Sequence, residues 1–176
     1  MTAQLKSDRG TTLVETLIAT SLMLVLIVGL LSLVALATAY TENHGHLEAR
    51  TTEYAQDKME QLVSLAYSDA VTDTTVFPAV VTGVGTGLAI GGGVNTAAPV
   101  NGYVDWLAYD GTLLGGGAAQ PATWFYERVW QITCVTASCT ASTGVRQIVV
   151  TVTVKASVGK AIIPVSSVIS LKASLF

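Results

Sequence analysis

Charge is scarce in this sequence. Charged residues make up 12% of the 176-residue chain, hydrophobic residues 51%, and the net charge is −3. Arg128, Arg146, Lys155, Lys160 and Lys172 form no run, so the basic footprint of a nucleic-acid-binding surface is missing. Histidine is limited to His44 and His46. Residues two apart on a helix point to opposite sides, which excludes a joint chelate; His44 with Glu48 is an i,i+4 pair on a solvated face. Without histidine further on, no Ser-His-Asp or Cys-His arrangement can form in the C-terminal region. Its acids past Asp73 are only Asp105, Asp110 and Glu127, and no motif pairs them as acid and base. Gly83-Val84-Gly85-Thr86-Gly87 lacks the spacing and the lysine of a phosphate loop. No enzyme activity and no cofactor is expected. The two cysteines, Cys134 and Cys139, have no histidine partners for zinc and no haem-attachment spacing. In an exported domain they read as one disulfide closing a small loop, with two free thiols as the alternative.

What the chain does have is one long apolar run. Thr16 to Thr41 carries no formal charge and no proline, and about 20 residues suffice for a helix to cross a bilayer. Lys6 and Arg9 precede the run, and Glu42, Glu48 and Glu53 follow it. The positive-inside rule then places the N-terminus in the cytoplasm and the remainder outside. Ala35-Leu36-Ala37 fits a signal-peptidase site, but the run is longer than the ~7–15 apolar residues of a cleaved signal. A plain signal anchor explains length and orientation. Neither reading gives a role to Glu15, a carboxylate at the start of a membrane-length segment, where charge is costly.

Gly10-Thr11-Thr12-Leu13-Val14-Glu15-Thr16-Leu17-Ile18-Ala19 resembles the N-terminus of type IV pilins and type II secretion pseudopilins. The resemblance implies prepilin-peptidase cleavage between Gly10 and Thr11 and N-methylation of Thr11. It makes Glu15 the fifth mature residue, which in that family pairs with the N-terminal amine of a neighbouring subunit during assembly. The family usually begins with phenylalanine or another apolar residue, and Thr11 departs from that. The stretch Glu48-Ala49-Arg50…Asp57-Lys58-Met59-Glu60-Gln61-Leu62 looks most like minor pilins of the PilV type. The implied function is a minor pilin of a bacterial type IV pilus. Its implied partners are other pilin subunits, the prepilin peptidase, the inner-membrane assembly platform and membrane lipid. The implied location is the inner membrane as a single pass, then the pilus surface. The competing readings are a type II secretion pseudopilin and a signal-anchored periplasmic binding module.

Beyond the run, Leu47, Thr51, Ala55, Met59, Leu62, Val63 and Ala66 recur at three- and four-residue steps, the signature of an amphipathic helix with its charges on the other side. A helix over 12–67 would be roughly 80 Å long, with Gly45 a soft point near 43–46. Eleven glycines between Gly83 and Gly117 disfavour regular elements there, apart from a strand at Tyr103–Tyr109 closed by the turn signal Asp110-Gly111. Three strands then follow: Trp124–Thr133; Val145–Lys155, with Val150, Val152 and Val154 on one face; and Ile162–Leu171, with Ile163, Val165, Ile169 and Leu171 on one face. A turn is expected at Val158-Gly159, and Pro164 predicts an edge strand. Trp106, Trp124 and Trp130 read as core anchors over the helix, with a carbohydrate or partner surface as the alternative. The expected fold is α+β, a long N-terminal helix packed on a C-terminal antiparallel sheet. Its segments are a leader (1–10), a transmembrane assembly helix (11–41), an amphipathic helix (42–68), a glycine-rich connection with short strands (69–123) and a sheet with a disulfide loop (124–176).

Overall fold

The structure is a computed structural model that describes residues 12–81, 83–136, 138–140, 143–155 and 163–174, together with the backbone but not the side chain of Asn43. The expected turn at Val158-Gly159 lies outside the described residues. Helix α1 spans Leu13–Ser64, and the chain divides into two compact units, Met1–Asn43 and His44–Phe176.

In the first unit α1 is long and apolar enough to cross a membrane, and none of its apolar window is buried. Leu22, Met23, Leu26, Leu30 and Leu33 are all more than half exposed. Such a surface is stable only against lipid or other apolar helices. The hydroxyls of this stretch suit that environment. Thr16, Thr20, Ser21, Ser32, Thr38 and Thr41 each donate to a carbonyl three or four residues back, at 2.8–2.9 Å. No Ser or Thr hydroxyl between 16 and 41 is left to be solvated, as a hydrocarbon surrounding requires.

In the second unit the amphipathic half of α1 lies on the sheet through Thr51, Ala55, Met59 and Leu62, all buried. Gly45 is helical. The helix stops at Ser64, short of the expected 67–68, because both ends of the next segment are pinned. Lys172 donates to the carbonyls of Val63 and Leu65, satisfying the orphan acceptors of the last turn and placing a cation at the negative end of the helix. Asp69 then accepts from the Val71 and Thr72 amides, both at 3.0 Å, which turns the chain. Val63 and Ala66, expected on the buried stripe, are exposed.

Strands β1 (Thr72–Asp73) and β2 (Val80–Val81) form a small antiparallel pair. The main sheet contains β3 (Gly91–Gly92), β4 (Val104–Leu107), β5 (Leu113–Gly116), β6 (Tyr126–Cys134), β7 (Val145–Val154) and β8 (Val165–Ala173). Its order is β5-β4-β6-β7-β8, antiparallel throughout, and β3 pairs with β6 farther along the edge that β4 occupies. The sheet is therefore not confined to 124–176: the glycine-rich region contributes β3, β4 and β5 to it. β8 is an edge strand, as Pro164 predicts.

Alternation divides the side chains between two faces. On the helix side Tyr103, Leu107, Tyr126, Trp130, Ile132, Ile148, Val150 and Val152 build the core with Ala55, Met59 and Leu62. Burying each such large apolar side chain is worth ~1.5–3 kcal/mol. On the opposite face Val104, Trp106 and Val129 form a smaller cluster with Trp124 beside it. Trp106 and Trp130 are fully buried, so both are core anchors, but Trp106 lies on the face away from the helix. Val165, Ile169 and Leu171 share a face of β8, and it is the exposed one. The helix-side positions of β8 are taken by Ser166, bonded to Thr51 at 2.7 Å, by Val168 against the core, and by the helix-capping Lys172.

Candidate functional site

Gly10 and Thr11, the expected processing residues, lie outside the described residues. Glu15 lies in the first turn of α1 and is exposed. Its amide donates to Thr12 Oγ1 at 3.3 Å, so Thr12 is the N-cap, and Thr12-Leu13-Val14-Glu15 has the form of a capping box. The sequence carries that signal plainly, and it gives Glu15 a local reason: an acid at the third helical position faces the positive end of the helix dipole. The cost assigned to this charge also falls. Thr16 to Thr41 rises about 39 Å as a helix, more than the ~30 Å hydrocarbon thickness, so Glu15 can sit at the membrane boundary. Thr12, Val14, Glu15, Ile18, Ala19 and Leu22 line one side of the helix start, leaving the carboxylate beside an apolar strip.

A second constellation is one that sequence reasoning missed. Lys58, expected on the solvated face of α1, is fully buried against the sheet. Its Nζ lies 2.9 Å from Asp105 Oδ2, donates to Gln61 Oε1 at 2.8 Å and to the Thr74 carbonyl, and sits 4.1 Å from the centre of the Trp130 ring. Arg128 closes the other side of Asp105 with a bidentate pair, Nε to Oδ1 at 2.6 Å and Nη2 to Oδ2 at 2.9 Å, and reaches the exposed Asp57 at 3.1 Å. Asp105 and Arg128 face each other in register across β4 and β6. Burial pulls Lys58 down to about 8 against the attraction of Asp105, so the amine is still cationic at neutral pH. Burial pushes Asp105 up, but Lys58 and Arg128 together bring it below the usual carboxylate range. Two cations and two carboxylates balance. Lys58, Asp105 and Arg128 thus direct their charges at one another. The cluster ties Asp57 and Lys58 of α1 to Asp105 of β4 and Arg128 of β6.

Glu127 is the other acid of the sheet, and it faces away from the helix between its register neighbours Trp106 and Thr153. It is 2% exposed, and its Oε1 has no hydrogen-bond partner among the described residues. Burial alone pushes its carboxyl up to about 7. Asp105 and Glu127 lie on opposite faces of one sheet and cannot serve a common substrate.

Cys134 and Cys139 form a disulfide between β6 and β7, closing an exposed tip that includes Val135 and Thr136. Arg146, buried beside it, donates to the carbonyls of Tyr67 and Leu88 at 2.7 and 2.8 Å and stacks on the Tyr67 ring. It ties the segment after α1 to β7. The i,i+4 pair of His44 and Glu48 forms at 3.2 Å. No family model, curated protein or solved structure matches the chain.

Proposed function

We propose that this chain is a structural subunit of a type IV pilus, a minor pilin, held by its N-terminal helix and presenting its β unit for interaction rather than catalysis. The observation that carries the reading is the register of the N-terminus. The glycine, glutamate and apolar run of the pilin-like stretch coincide with a helix that starts at Leu13, just after the cleavage position between Gly10 and Thr11. The uncovered apolar half of α1, with its internally bonded hydroxyls, suits storage in a membrane and packing among like helices in a filament. Cleavage would create an amine at Thr11, and Glu15 of a neighbouring subunit would be its counter-ion. Assembly would draw on the inner-membrane platform and the prepilin peptidase.

The cap contact favours a second reading, a signal-anchored periplasmic module in which Glu15 only closes the helix start. Two measurements separate them. Intact mass of the chain from membranes that contain a prepilin peptidase shows loss of residues 1–10 if it is a pilin; an uncut N-terminus refutes the proposal. Glu15→Gln keeps a capping-box residue but removes the charge. It is expected to insert normally and to be depleted at least tenfold from filaments, whereas Thr12→Val, which keeps the charge and loses the cap, stays within about threefold of the parent.

A further inference from the structure

The glycine-rich loops, which the filament reading does not use, enclose a polar cleft of about 190 Å³ beside the β1–β2 pair and the end of β5. Its walls are close-packed backbone. A Cβ on Gly116 would lie 2.2 Å from Thr75 Cβ, and Gly117, at φ +118°, adopts a conformation that side chains disfavour. The polar groups are held in place. Asp73 Oδ1 accepts from the Thr75 amide at 2.8 Å and from the Thr75 hydroxyl at 2.7 Å, which fixes the carboxylate. Asp73 and Asn101 line the cleft, and among the described residues both side-chain bonds to the Asp73 carboxylate fall on Oδ1. Asn101 Oδ1 lies 3.7 Å from where a Gly117 Cβ would be, so the amide stands over the glycine wall. At the rim the Val84 side chain is 89% exposed.

That chemistry is selective. No basic side chain lines the cleft, which disfavours phosphate and carboxylate ligands. One carboxylate falls short of the six to eight oxygens a calcium ion takes, and the space is far larger than an ion. The volume equals about six water molecules at ~30 Å³ each, the scale of one sugar ring. A carboxylate that only accepts, beside a carboxamide that both donates and accepts, matches adjacent hydroxyls, and Val84 offers an apolar contact for ring C–H groups.

We propose that this cleft binds a single neutral sugar residue, with Asp73 Oδ2 accepting from a hydroxyl and Asn101 bonding its neighbour. The proposal stands independently of the filament reading. The test is saturation-transfer NMR on the full chain in detergent micelles. The probes are the methyl pyranosides of mannose, glucose and galactose at millimolar concentration, with inorganic phosphate and calcium chloride as competitors. Transfer to at least one pyranoside is expected, reduced at least fivefold in Asp73→Asn and in Asn101→Ala, and unaffected by either competitor. Asn101 is exposed, so its variant tests the site even if Asp73→Asn disturbs the loop. No transfer to any pyranoside, transfer unchanged in Asn101→Ala, or displacement by calcium or phosphate would overturn it.

Discussion

Replacing Asp105 with asparagine removes one negative charge from a place where two positive charges depend on it. Lys58 and Asp105 side chains are 0% exposed and Arg128 is 5% exposed. In the variant, Lys58 and Arg128 face a neutral amide, and the carboxylate that still pairs with Arg128 among the described residues is the exposed Asp57. Breaking a buried ion pair by deleting one partner costs about 3–5 kcal/mol. Domains of this kind are stable by ~5–15 kcal/mol in total, so the loss is a large share of the whole. Lys58→Met is the milder change. It leaves Asp105 bonded bidentately to Arg128 and keeps an apolar stem against Trp130, but it forfeits the 2.9 Å ion pair to Asp105 Oδ2 and the bonds to Gln61 Oε1 and the Thr74 carbonyl. One unpaired buried acceptor costs ~1–3 kcal/mol, partly offset by relief from burying the amine. The expected order is therefore Asp105→Asn well above Lys58→Met, and Asp105→Asn should cost at least about 1 kcal/mol less in the Lys58→Met background. Urea unfolding of the full chain in detergent, followed by tryptophan fluorescence, reads this directly, because Trp106, Trp124 and Trp130 all belong to the second unit. A cost below about 1 kcal/mol for Asp105→Asn, or strict additivity of the two changes, refutes the reasoning that one charge network seats the helix.

Two further outcomes follow from the sheet. Glu127 is raised from 4.5 to about 7 by burial; the folded state then holds a proton that the unfolded state has lost, so this group makes stability fall as pH rises from about 4.5 to 7, and not beyond. Glu127→Gln should remove that slope, melting higher than the parent at about pH 8 and equally at about pH 4; an equal difference at both pH values would show that Glu127 does not titrate in this window. The Cys134–Cys139 bridge closes a short loop, for which loop-closure entropy gives about 2 kcal/mol. The double variant Cys134→Ser/Cys139→Ser should lose no more than that in urea unfolding, and a larger loss would mean that the bridge also supports the Arg146 contacts nearby.

The strands were legible where side chains alternate. β6, β7 and β8 carry branched and aromatic residues at period two, and Pro164 marks the edge. The β4–β5 hairpin was half legible. Val104–Leu107 lies within the expected strand and turns back through Asp110-Gly111, where Asp110 Oδ1 accepts from the Thr112 amide at 3.0 Å. Leu113–Gly116 has no such pattern, because half of it is glycine and its place in the sheet is fixed by backbone pairing with β4. Alternation also cannot say which face turns inward. Val165, Ile169 and Leu171 look like a core stripe, yet the helix side of β8 goes to Ser166, Val168 and Lys172. The helix end at Ser64 was invisible for a related reason: its cap comes from Lys172, more than a hundred residues away.

Glu15 and Lys58 depart in opposite directions from what their sequence neighbours suggest, and for one physical reason. Glu15 stands out in the sequence because its neighbours are apolar, but sequence neighbours set the cost of a charge only when they are also its surroundings. At the first turn of a helix its surroundings are the dipole end, the Thr12 cap and the boundary of the apolar run. Lys58 sits close to Asp57 and Glu60 in sequence, yet its surroundings are Trp130, Asp105 and Arg128, the last two brought there by strands 47 and 70 residues later in the chain. Local composition thus overstates the cost of a charge at an element's end and understates it at a residue one step off an apolar stripe. For Glu15 the consequence is that expense alone no longer argues for a partner amine. The argument rests on whether the charge, apart from the cap, is needed for incorporation, which is the difference between Glu15→Gln and Thr12→Val.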